Sequence, residues 1–370
     1  MRVGRDLQVL RRNRGGTAVY TQSLLNALRR LYPDDEYIPL DSIFRLPRRN
    51  IVTKLGNALF ELYYLHVLLP LQARRAQVDL VHFPANMVSA RLHCPSVVTI
   101  HDMMVEHMPE AYDPLFLAFF KRFVPPSARR ATRIITDSEF SRRDIVRYCR
   151  VPARKVHVAH LGVAPGFAAQ DPHTARAYIE RQYGIDARLI VLFVSELNPR
   201  KNVANLVRAF AEVGRSPSNL PCQLLLVGEK RDEEYHQQLV DLIKQERIAD
   251  AVRFMGYVPS EDLPAFYAAA SVFAYVSLYE GFGLPAVEAM MSGVPVLASN
   301  RTSLPEVVGD AGMLVDPDDV PGTAHALRAL LSDDALRSRL VAAGYKRSEM
   351  FTWERTAQIT HRVYEQALKL

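Results

Sequence analysis

LIVLFVS, residues 189–195, is an unbroken run of apolar and β-branched residues, and a polar, positively charged segment, NPRKN (198–202), follows it closely. Runs of this kind predict short strands. They recur downstream as CQLLLVG (222–228), VRFMG (252–256), VFAYV (272–276) and VPVLAS (294–299). Because helical patterns separate the runs, this part of the chain predicts an α/β domain built around a doubly wound parallel sheet.

The upstream half repeats the alternation. Its strand-like runs are VDLVHF (78–83), SVVTI (96–100), RIITD (133–137) and KVHVAH (155–160). Between the two halves lies GVAPGFAAQDPH (162–173), where Pro and Gly cluster and apolar periodicity lapses. A chain of 370 residues is long enough for two domains. We therefore expect an N-terminal domain over 1–168 and a C-terminal domain over 169–352, both Rossmann-like.

The composition is that of a soluble globular protein, with 49% hydrophobic and 23% charged residues. Three cysteines without a C-x-x-C pair argue against a disulfide framework and for a reducing compartment. The first ten residues, MRVGRDLQVL, have charge but no apolar stretch, so we expect no secretory signal. The longest apolar stretch, Leu55 to Leu71, is interrupted by charge and by Pro70, and its leucine spacing predicts an amphipathic helix with Leu55, Leu59, Leu62 and Leu69 on the core. These features predict a cytoplasmic protein.

Charge is distributed unevenly along the chain. Residues 1–168 contain 25 Lys and Arg against 14 Asp and Glu, which is +11, whereas the remainder contains 21 against 26, which is −5. The basic half suits polyanions, anionic lipid headgroups or pyrophosphate-linked carriers. A solvated basic face explains the same excess about equally well. Six arginines concentrate this charge: Arg129, Arg130, Arg142, Arg143, Arg147 and Arg150.

The densest chemical signal is EGFGLPAVEAM, residues 280–290, which follows the strand-like run VFAYV and leads into a helical pattern. Gly281 and Gly283 let the backbone approach a ligand closely, and Pro285 suits a first helical turn. The free N–H groups of a helix start attract phosphate. The spacing allows Glu280 to reach a sugar while Glu288 reaches a ribose.

The whole string resembles the family-4 retaining glycosyltransferases of the GT-B fold, in which two glutamates are separated by seven residues. The resemblance extends over nearly the whole chain. It includes Gly15-Gly16, TIHD (99–102), TDSEFSRRDI (136–145), NPRKN (198–202), FMGYVPSEDLPAFYAAA (254–270) and SNRTSLPEVVGDAG (299–312). It implies two Rossmann-like domains facing across a cleft, with residues 353–370 forming a helix that returns to the N-terminal domain.

The resemblance also implies the donor site. Glu280 would contact the donor sugar, Glu288 would bind ribose hydroxyls, and backbone amides near Gly281, Phe282, Gly283 and Leu284 would meet the distal phosphate. The base would lie near Gly256, Tyr257 and Val258. Lys201 matches the phosphate-binding lysine of the family.

The sequence departs from the family at Glu196, where an arginine often stands five positions before the lysine. A carboxylate there would repel phosphate, unless it points away or Arg200 supplies the missing charge. Some family members lack the arginine and carry the same Pro-Arg-Lys-Asn string. Taken alone, Arg200 and Lys201 are more typical of a solvated helix start.

Two features of the basic half complete the predicted site. His101 ends the run SVVTI, and the resemblance places it against the donor sugar, although an isolated histidine at a strand end is more often structural. Gly15 and Gly16 precede a helical pattern. The resemblance implies that they close over the donor phosphates, while a plain helix-entry turn explains them in isolation.

No metal or other cofactor is expected. Asp316-Pro-Asp318 is superficially an Asp-x-Asp metal motif, but it falls in a predicted turn, and enzymes of this fold typically work without a metal. His107 follows His101 by six positions, which is not the spacing of a helical metal pair.

The sequence thus predicts a retaining, metal-independent glycosyltransferase that moves a hexose onto a glycan or lipid-linked acceptor, with mannose from GDP-mannose as the first expectation. UDP-glucose or dTDP-rhamnose would fit the same motifs. Peripheral association with the inner face of the membrane is consistent with the basic half, and no nucleic-acid partner is expected. Two alternatives stay open: a catalytically silent nucleotide-sugar-binding protein, and a polyanion-binding protein that uses the basic half.

Overall fold

A computed structural model describes residues 1–12, 15–42, 51–168, 170–214 and 222–370. The chain forms two compact units, the first of Met1–Gly162 with Trp353–Leu370 and the second of Val163–Thr352. The division precedes the boundary expected at residue 168. The reason is that the Val163 N–H already donates to Phe351 O (3.1 Å), which joins the chain to the second unit from that residue onward.

The first unit contains a six-stranded sheet in which every pairing is parallel, with the strand order β2-β1-β3-β4-β5-β6. Its strands are β1 Arg2–Asp6, β2 Glu36–Leu40, β3 Leu80–Phe83, β4 Ser96–Thr99, β5 Arg133–Thr136 and β6 Val156–Val158. The last four were predicted. β1 and β2 were missed because RVGRD has charged residues inside a strand and EYIPL contains a proline, which β2 tolerates as an edge strand.

Seven α-helices in this part of the described chain accompany that sheet. They are α1 Gln8–Arg12, α2 Gly16–Leu31, α3 Ile51–Tyr63, α4 Leu69–Arg75, α5 Met104–His107, α6 Pro114–Arg130 and α7 Glu139–Cys149. A π-helical turn, Tyr64–Leu68, joins α3 to α4. The predicted leucine stripe was wrong at Leu59, which is 60% exposed, whereas Leu69 is buried. The π turn lies between these two leucines and changes the helical register, so they do not share one face. The Leu55 side chain lies outside the described residues.

The second unit contains a second six-stranded parallel sheet, with the order β12-β11-β10-β7-β8-β9. Its strands are β7 Leu189–Val194, β8 Cys222–Val227, β9 Val252–Gly256, β10 Val272–Tyr275, β11 Val296–Ser299 and β12 Gly312–Val315. The order reverses between β7 and β10, which makes their carboxyl ends the topological switch point where ligands of such sheets bind.

Helices of the second unit follow its strands. They are α8 Pro172–Tyr183, α9 Val203–Gly214, α10 Glu233–Gln245, α11 Leu263–Ala269, α12 Leu284–Met291, α13 Leu304–Val308, α14 Val320–Ser332 and α15 Asp334–Ser348.

The last helix, α16 Trp353–Leu368, belongs to the first unit. The Tyr364 hydroxyl accepts a hydrogen bond from the buried Arg5 guanidinium (2.6 Å), and the Thr356 hydroxyl donates to His160 O (2.6 Å). In the described parts of the chain, no helix combines the length and apolarity needed to cross a membrane.

Candidate functional site

Two loops of the second unit meet at the switch point. One leaves β7 and continues through a 3-10 turn, Pro199–Lys201, and the other leaves β10 and leads to α12. The Leu278 N–H donates to Arg200 O (2.9 Å), which joins the two loops directly. NPRKN and the EGFG string, 79 positions apart at Lys201 and Glu280, therefore become neighbours.

Four side chains form an ionic group that is buried except for the partly exposed Arg200, here called the switch-point cluster: Arg200, Lys201, Tyr275 and Glu280. Lys201 Nζ donates to Glu280 Oε1 (2.7 Å) and to the Tyr275 hydroxyl (2.6 Å). Arg200 Nη1 lies 3.1 Å from Glu280 Oε2 and donates to Tyr279 O (2.8 Å). Lys201 is only 5% exposed and Glu280 only 7%, so both charges lie inside the protein.

Burial and pairing act in opposite directions on this cluster. Burial alone would raise the pKa of Glu280, but the charges of Lys201 and Arg200 outweigh it and lower the pKa to about 2. For Lys201, burial dominates and lowers the pKa to about 8 despite the nearby carboxylate. Glu280 is ionised at neutral pH, and the cluster as a whole has one net positive charge.

The lysine is not at a solvated helix start, because the backbone turns it inward. Asn202 adopts a left-handed conformation (φ 56°), and its side-chain amide donates to Pro317 O (2.7 Å) and Val276 O (3.2 Å). This anchored residue ends the 3-10 turn and holds Lys201 below the loop surface.

The α12 helix begins directly after the glutamate loop. Its N-cap, Gly283, has φ 106°, a conformation that favours glycine, and a Cβ there would lie 2.6 Å from Leu304 Cδ2. The loop is fixed by the Glu280 N–H, which donates to Thr302 Oγ1 (3.0 Å), and by Ser303 Oγ, which lies 2.8 Å from Phe282 O. The first N–H groups of α12, from Leu284 onward, therefore have a defined position suited to an anion.

Glu288 lies one turn further along α12 and is partly buried. Its Oε2 accepts a hydrogen bond from the Tyr267 hydroxyl of α11 (2.8 Å). Burial raises the pKa of Glu288 to about 7, and this hydrogen bond only partly opposes the shift. The two glutamates thus have opposite electrostatic environments.

The predicted base-binding segment lies elsewhere on the same sheet. Gly256 ends β9, at the sheet edge beyond β8, and its carbonyl accepts from the Gly228 N–H (2.8 Å). Tyr257 is 67% exposed and Val258 is buried. The structure does not bring these residues into the switch-point cluster.

Glu196, the departure from the family pattern, pairs with another loop. Its Oε1 lies 2.9 Å from Arg231 Nη2, and both side chains are exposed. The loops after β7 and β8 run side by side, since a Cβ at Gly228 would lie 1.8 Å from Ser195 O. An arginine from the neighbouring loop therefore balances the carboxylate.

The remaining predicted residues belong to the first unit. His101 Nδ1 donates to Asp137 Oδ2 (2.7 Å), and the edge of the Tyr20 ring meets the imidazole at 4.8 Å between centroids. Burial would lower the pKa of His101, but the charge and hydrogen bond of Asp137 outweigh it and raise the pKa. Gly15 caps α2 and Gly16 begins it, and a Cβ at Gly16 would meet no other atom within 4 Å. The adjoining Arg14 lies outside the described residues.

The Asp316-Pro-Asp318 motif holds an arginine. Arg301 Nη2 donates to Asp316 Oδ1 (2.6 Å) and to Asp318 Oδ2 (2.7 Å). His107 likewise pairs with Asp144 (2.6 Å). Among the described residues, no group of three His, Cys, Asp or Glu side chains is arranged to hold a metal ion.

Sequence reasoning missed three partners: Tyr275, Tyr267 and Asp137. Asp137 could have been predicted as a site residue, because it directly follows β5, at the carboxyl edge of the sheet. The two tyrosines had none, because each is part of an apolar stretch that is typical of core packing.

Comparison with known proteins agrees with this geometry. Residues 14–167 match the family described as Glycosyltransferase Family 4, and residues 176–347 match Glycosyl transferases group 1. The fold is similar to sucrose-phosphate synthase from Thermosynechococcus elongatus, with a TM-score of 0.77 at 22% identity over 100% of this chain and 99% of that one. The two sheets and their topology are those of the GT-B glycosyltransferases.

Two of the relatives with similar sequences are mannosyltransferases. The chain is 35% identical to the O-antigen chain mannosyltransferase B of Escherichia coli over 73% of this chain and 70% of that protein. It is 32% identical to the MMP α-(1→4)-mannosyltransferase of Mycolicibacterium hassiacum over 80% and 73% of the respective chains. Other relatives are longer, and the chain spans about a third of their length. The chain belongs to the family-4 glycosyltransferases and is a glycosyltransferase.

Proposed function

We propose that this enzyme transfers mannose from GDP-mannose to a glycan or lipid-linked acceptor, with retention of the anomeric configuration and without a divalent metal. The observation that carries the proposal is the switch-point cluster, a buried cationic group beside a helix N-terminus at the ligand-binding edge of the sheet. The names of both relatives support mannose as the sugar.

The donor would lie along the switch point of the second unit. The diphosphate would be held by Arg200, Lys201 and the start of α12. Glu280 would accept hydrogen bonds from hydroxyls of the sugar, and Glu288 from hydroxyls of the ribose. The assigned donor-binding set is Gly15, Gly16, Arg200, Lys201, Gly256, Tyr257, Val258, Glu280, Gly281, Phe282, Gly283, Leu284 and Glu288. His101, Lys201 and Glu280 are assigned to catalysis.

The proposal of metal independence is supported by the positive charge that the protein itself supplies. As the bond between the anomeric carbon and the diphosphate breaks, negative charge grows on the departing oxygen. Lys201 and Arg200 would stabilise that charge in a buried setting, where fixed cations act strongly. We therefore expect full transfer in the presence of a chelator.

The proposal that the anomeric configuration is retained is supported by the linkage given in the name of one relative. The mannosyl bond of GDP-mannose is α, and the relative from Mycolicibacterium hassiacum is an α-(1→4)-mannosyltransferase. An α product from an α donor means that configuration is retained.

The proposal of an acceptor at the membrane is supported by the exposed side chains of α6. Leu115, Phe116 and Phe123 are exposed there, and the Arg122 guanidinium lies over the Phe123 ring at 5.6 Å. Exposed aromatic residues beside cations suit the headgroup region of an anionic bilayer. Cosedimentation with phosphatidylglycerol vesicles, and its loss in Phe116→Ser/Phe123→Ser, tests this partner.

The first test of function is a thermal-shift panel with GDP, UDP, dTDP and ADP and their sugar nucleotides, all in EDTA. Ligand at roughly 100 times Kd adds about 2.7 kcal/mol to the folded state. A shift confined to guanine nucleotides, followed by mannose transfer to an acceptor, is the expected result. Binding without turnover would instead favour a silent nucleotide-sugar-binding protein, and salt-sensitive binding of long polyanions without a nucleotide effect would favour the polyanion alternative.

A further inference from the structure

The switch-point cluster contains a carboxylate in the place where a diphosphate would need cations. Both oxygens of Glu280 are engaged, Oε1 by Lys201 at 2.7 Å and Oε2 by Arg200 at 3.1 Å. Two positive charges face one negative charge, so part of the attraction that the two cations offer an anion is already used within the protein. A diphosphate that binds Lys201 and Arg200 must share them with Glu280.

The loop that carries Glu280 has little freedom to move. The backbone of Glu280 is held on both sides, by its N–H to Thr302 Oγ1 (3.0 Å) and by its carbonyl, 2.9 Å from Ser303 Oγ. Lys201 is likewise held by the Tyr275 hydroxyl (2.6 Å). Any rearrangement is therefore confined to the side chains of the cluster.

We propose that Glu280 competes with the nucleotide diphosphate for Lys201 and Arg200, and thereby makes the enzyme favour the loaded nucleotide sugar over the nucleoside diphosphate product. This inference rests on the proposed donor site. A bound sugar has hydroxyls that donate hydrogen bonds to the displaced carboxylate and replace the lost ion pairs. A nucleoside diphosphate has no sugar beyond its terminal phosphate, so Glu280 remains a buried charge beside that phosphate, which repels it.

The consequence is a built-in route to product release. Before transfer, the sugar satisfies Glu280 and the diphosphate satisfies the two cations. After transfer, the sugar leaves with the acceptor, and Glu280 returns to Lys201 and Arg200 and weakens their hold on the diphosphate. The same residue thus contributes to donor selection and to discharge of the product.

Calorimetric titration of GDP and GDP-mannose into wild type and Glu280→Gln tests the idea. The amide keeps the shape and removes the charge. We expect Glu280→Gln to bind GDP at least about tenfold more tightly than wild type, the effect of ~1.4 kcal/mol. We also expect the preference for GDP-mannose over GDP to be lost. Equal or weaker GDP binding in a folded Glu280→Gln protein overturns the competition.

Two matched variants separate this inference from the donor site itself. Lys201→Met should weaken GDP and GDP-mannose alike, and Glu288→Gln, which removes the other glutamate of the motif, should also weaken both without tightening GDP. If neither weakens binding, the donor site is misplaced and the competition falls with it. If Glu280→Gln does not fold, Glu280→Asp retracts the charge by one methylene, and an unchanged affinity for GDP then overturns the inference.

Discussion

Replacing Glu288 by glutamine should stabilise the second unit at neutral and alkaline pH, even though the residue is assigned to donor binding. Burial raises the pKa of Glu288 from 4.5 to about 7, and the Tyr267 hydrogen bond offsets only part of that cost. The folded protein therefore retains this proton at pH values where the unfolded chain has lost it.

The sign and size follow from proton linkage. Because the folded state binds more protons between pH 4.5 and 7, stability falls as the pH rises through this window. The shift in pKa corresponds to a loss of about 3 kcal/mol in the free energy of unfolding. This loss is complete above pH 7 and absent below pH 4.5. Glutamine keeps the hydrogen bond from Tyr267 but does not ionise, so the variant avoids this loss.

Urea unfolding at pH 5 and pH 8, followed by circular dichroism, measures the difference. Trp353, the single tryptophan, lies in the first unit, so its fluorescence follows that unit separately as an internal control. Glu234→Gln, an exposed glutamate of the second unit, is the matched variant and should change little at either pH. The same effect of Glu288→Gln at both pH values, or destabilisation of the second unit at pH 8, would show that ionisation of Glu288 does not limit stability.

Three further predictions follow from the site geometry. Asp137→Asn should lower the pKa of His101, because the charge that raises it is removed; NMR titration of the imidazole measures this, and an unchanged pKa contradicts it. Lys201→Met should lower nucleotide affinity by about 10- to 100-fold, as expected for a lost hydrogen bond to a charged group, with calorimetry as the measurement and Lys230→Met, an exposed lysine, as the control. Gly283→Ala should destabilise the second unit by about 1–3 kcal/mol, since alanine disfavours φ 106° and its Cβ meets Leu304; a thermal unfolding midpoint equal to wild type would rule this out.

The central strands and the glutamate motif could be predicted from the sequence because their signals are local. A buried parallel strand such as β7 is a continuous apolar run, and the helix-start chemistry of α12 lies within a few residues. β1 was missed because one of its buried residues, Arg5, is charged, and its guanidinium is accommodated by His82 of β3 and by Tyr364, at the other end of the chain.

The electrostatics of the site could not be predicted in the same way. Lys201 resembles a solvated helix start, and its burial depends on the left-handed turn at Asn202 and on contacts with the loop after β10. Similarly, the ion pair between Glu196 and Arg231 requires the loops after β7 and β8 to lie side by side. Contacts across long sequence separations decide where these charged groups lie and what they pair with, and no local pattern encodes them.

Transfer of mannose can be measured directly by NMR in EDTA, with GDP-mannose and a mannose-terminated acceptor. We expect release of GDP together with a new α-mannosidic anomeric signal, at a rate that the chelator does not change and that Lys201→Met reduces. A β-mannosidic product, transfer only from another nucleotide sugar, or transfer that requires added divalent metal would contradict it.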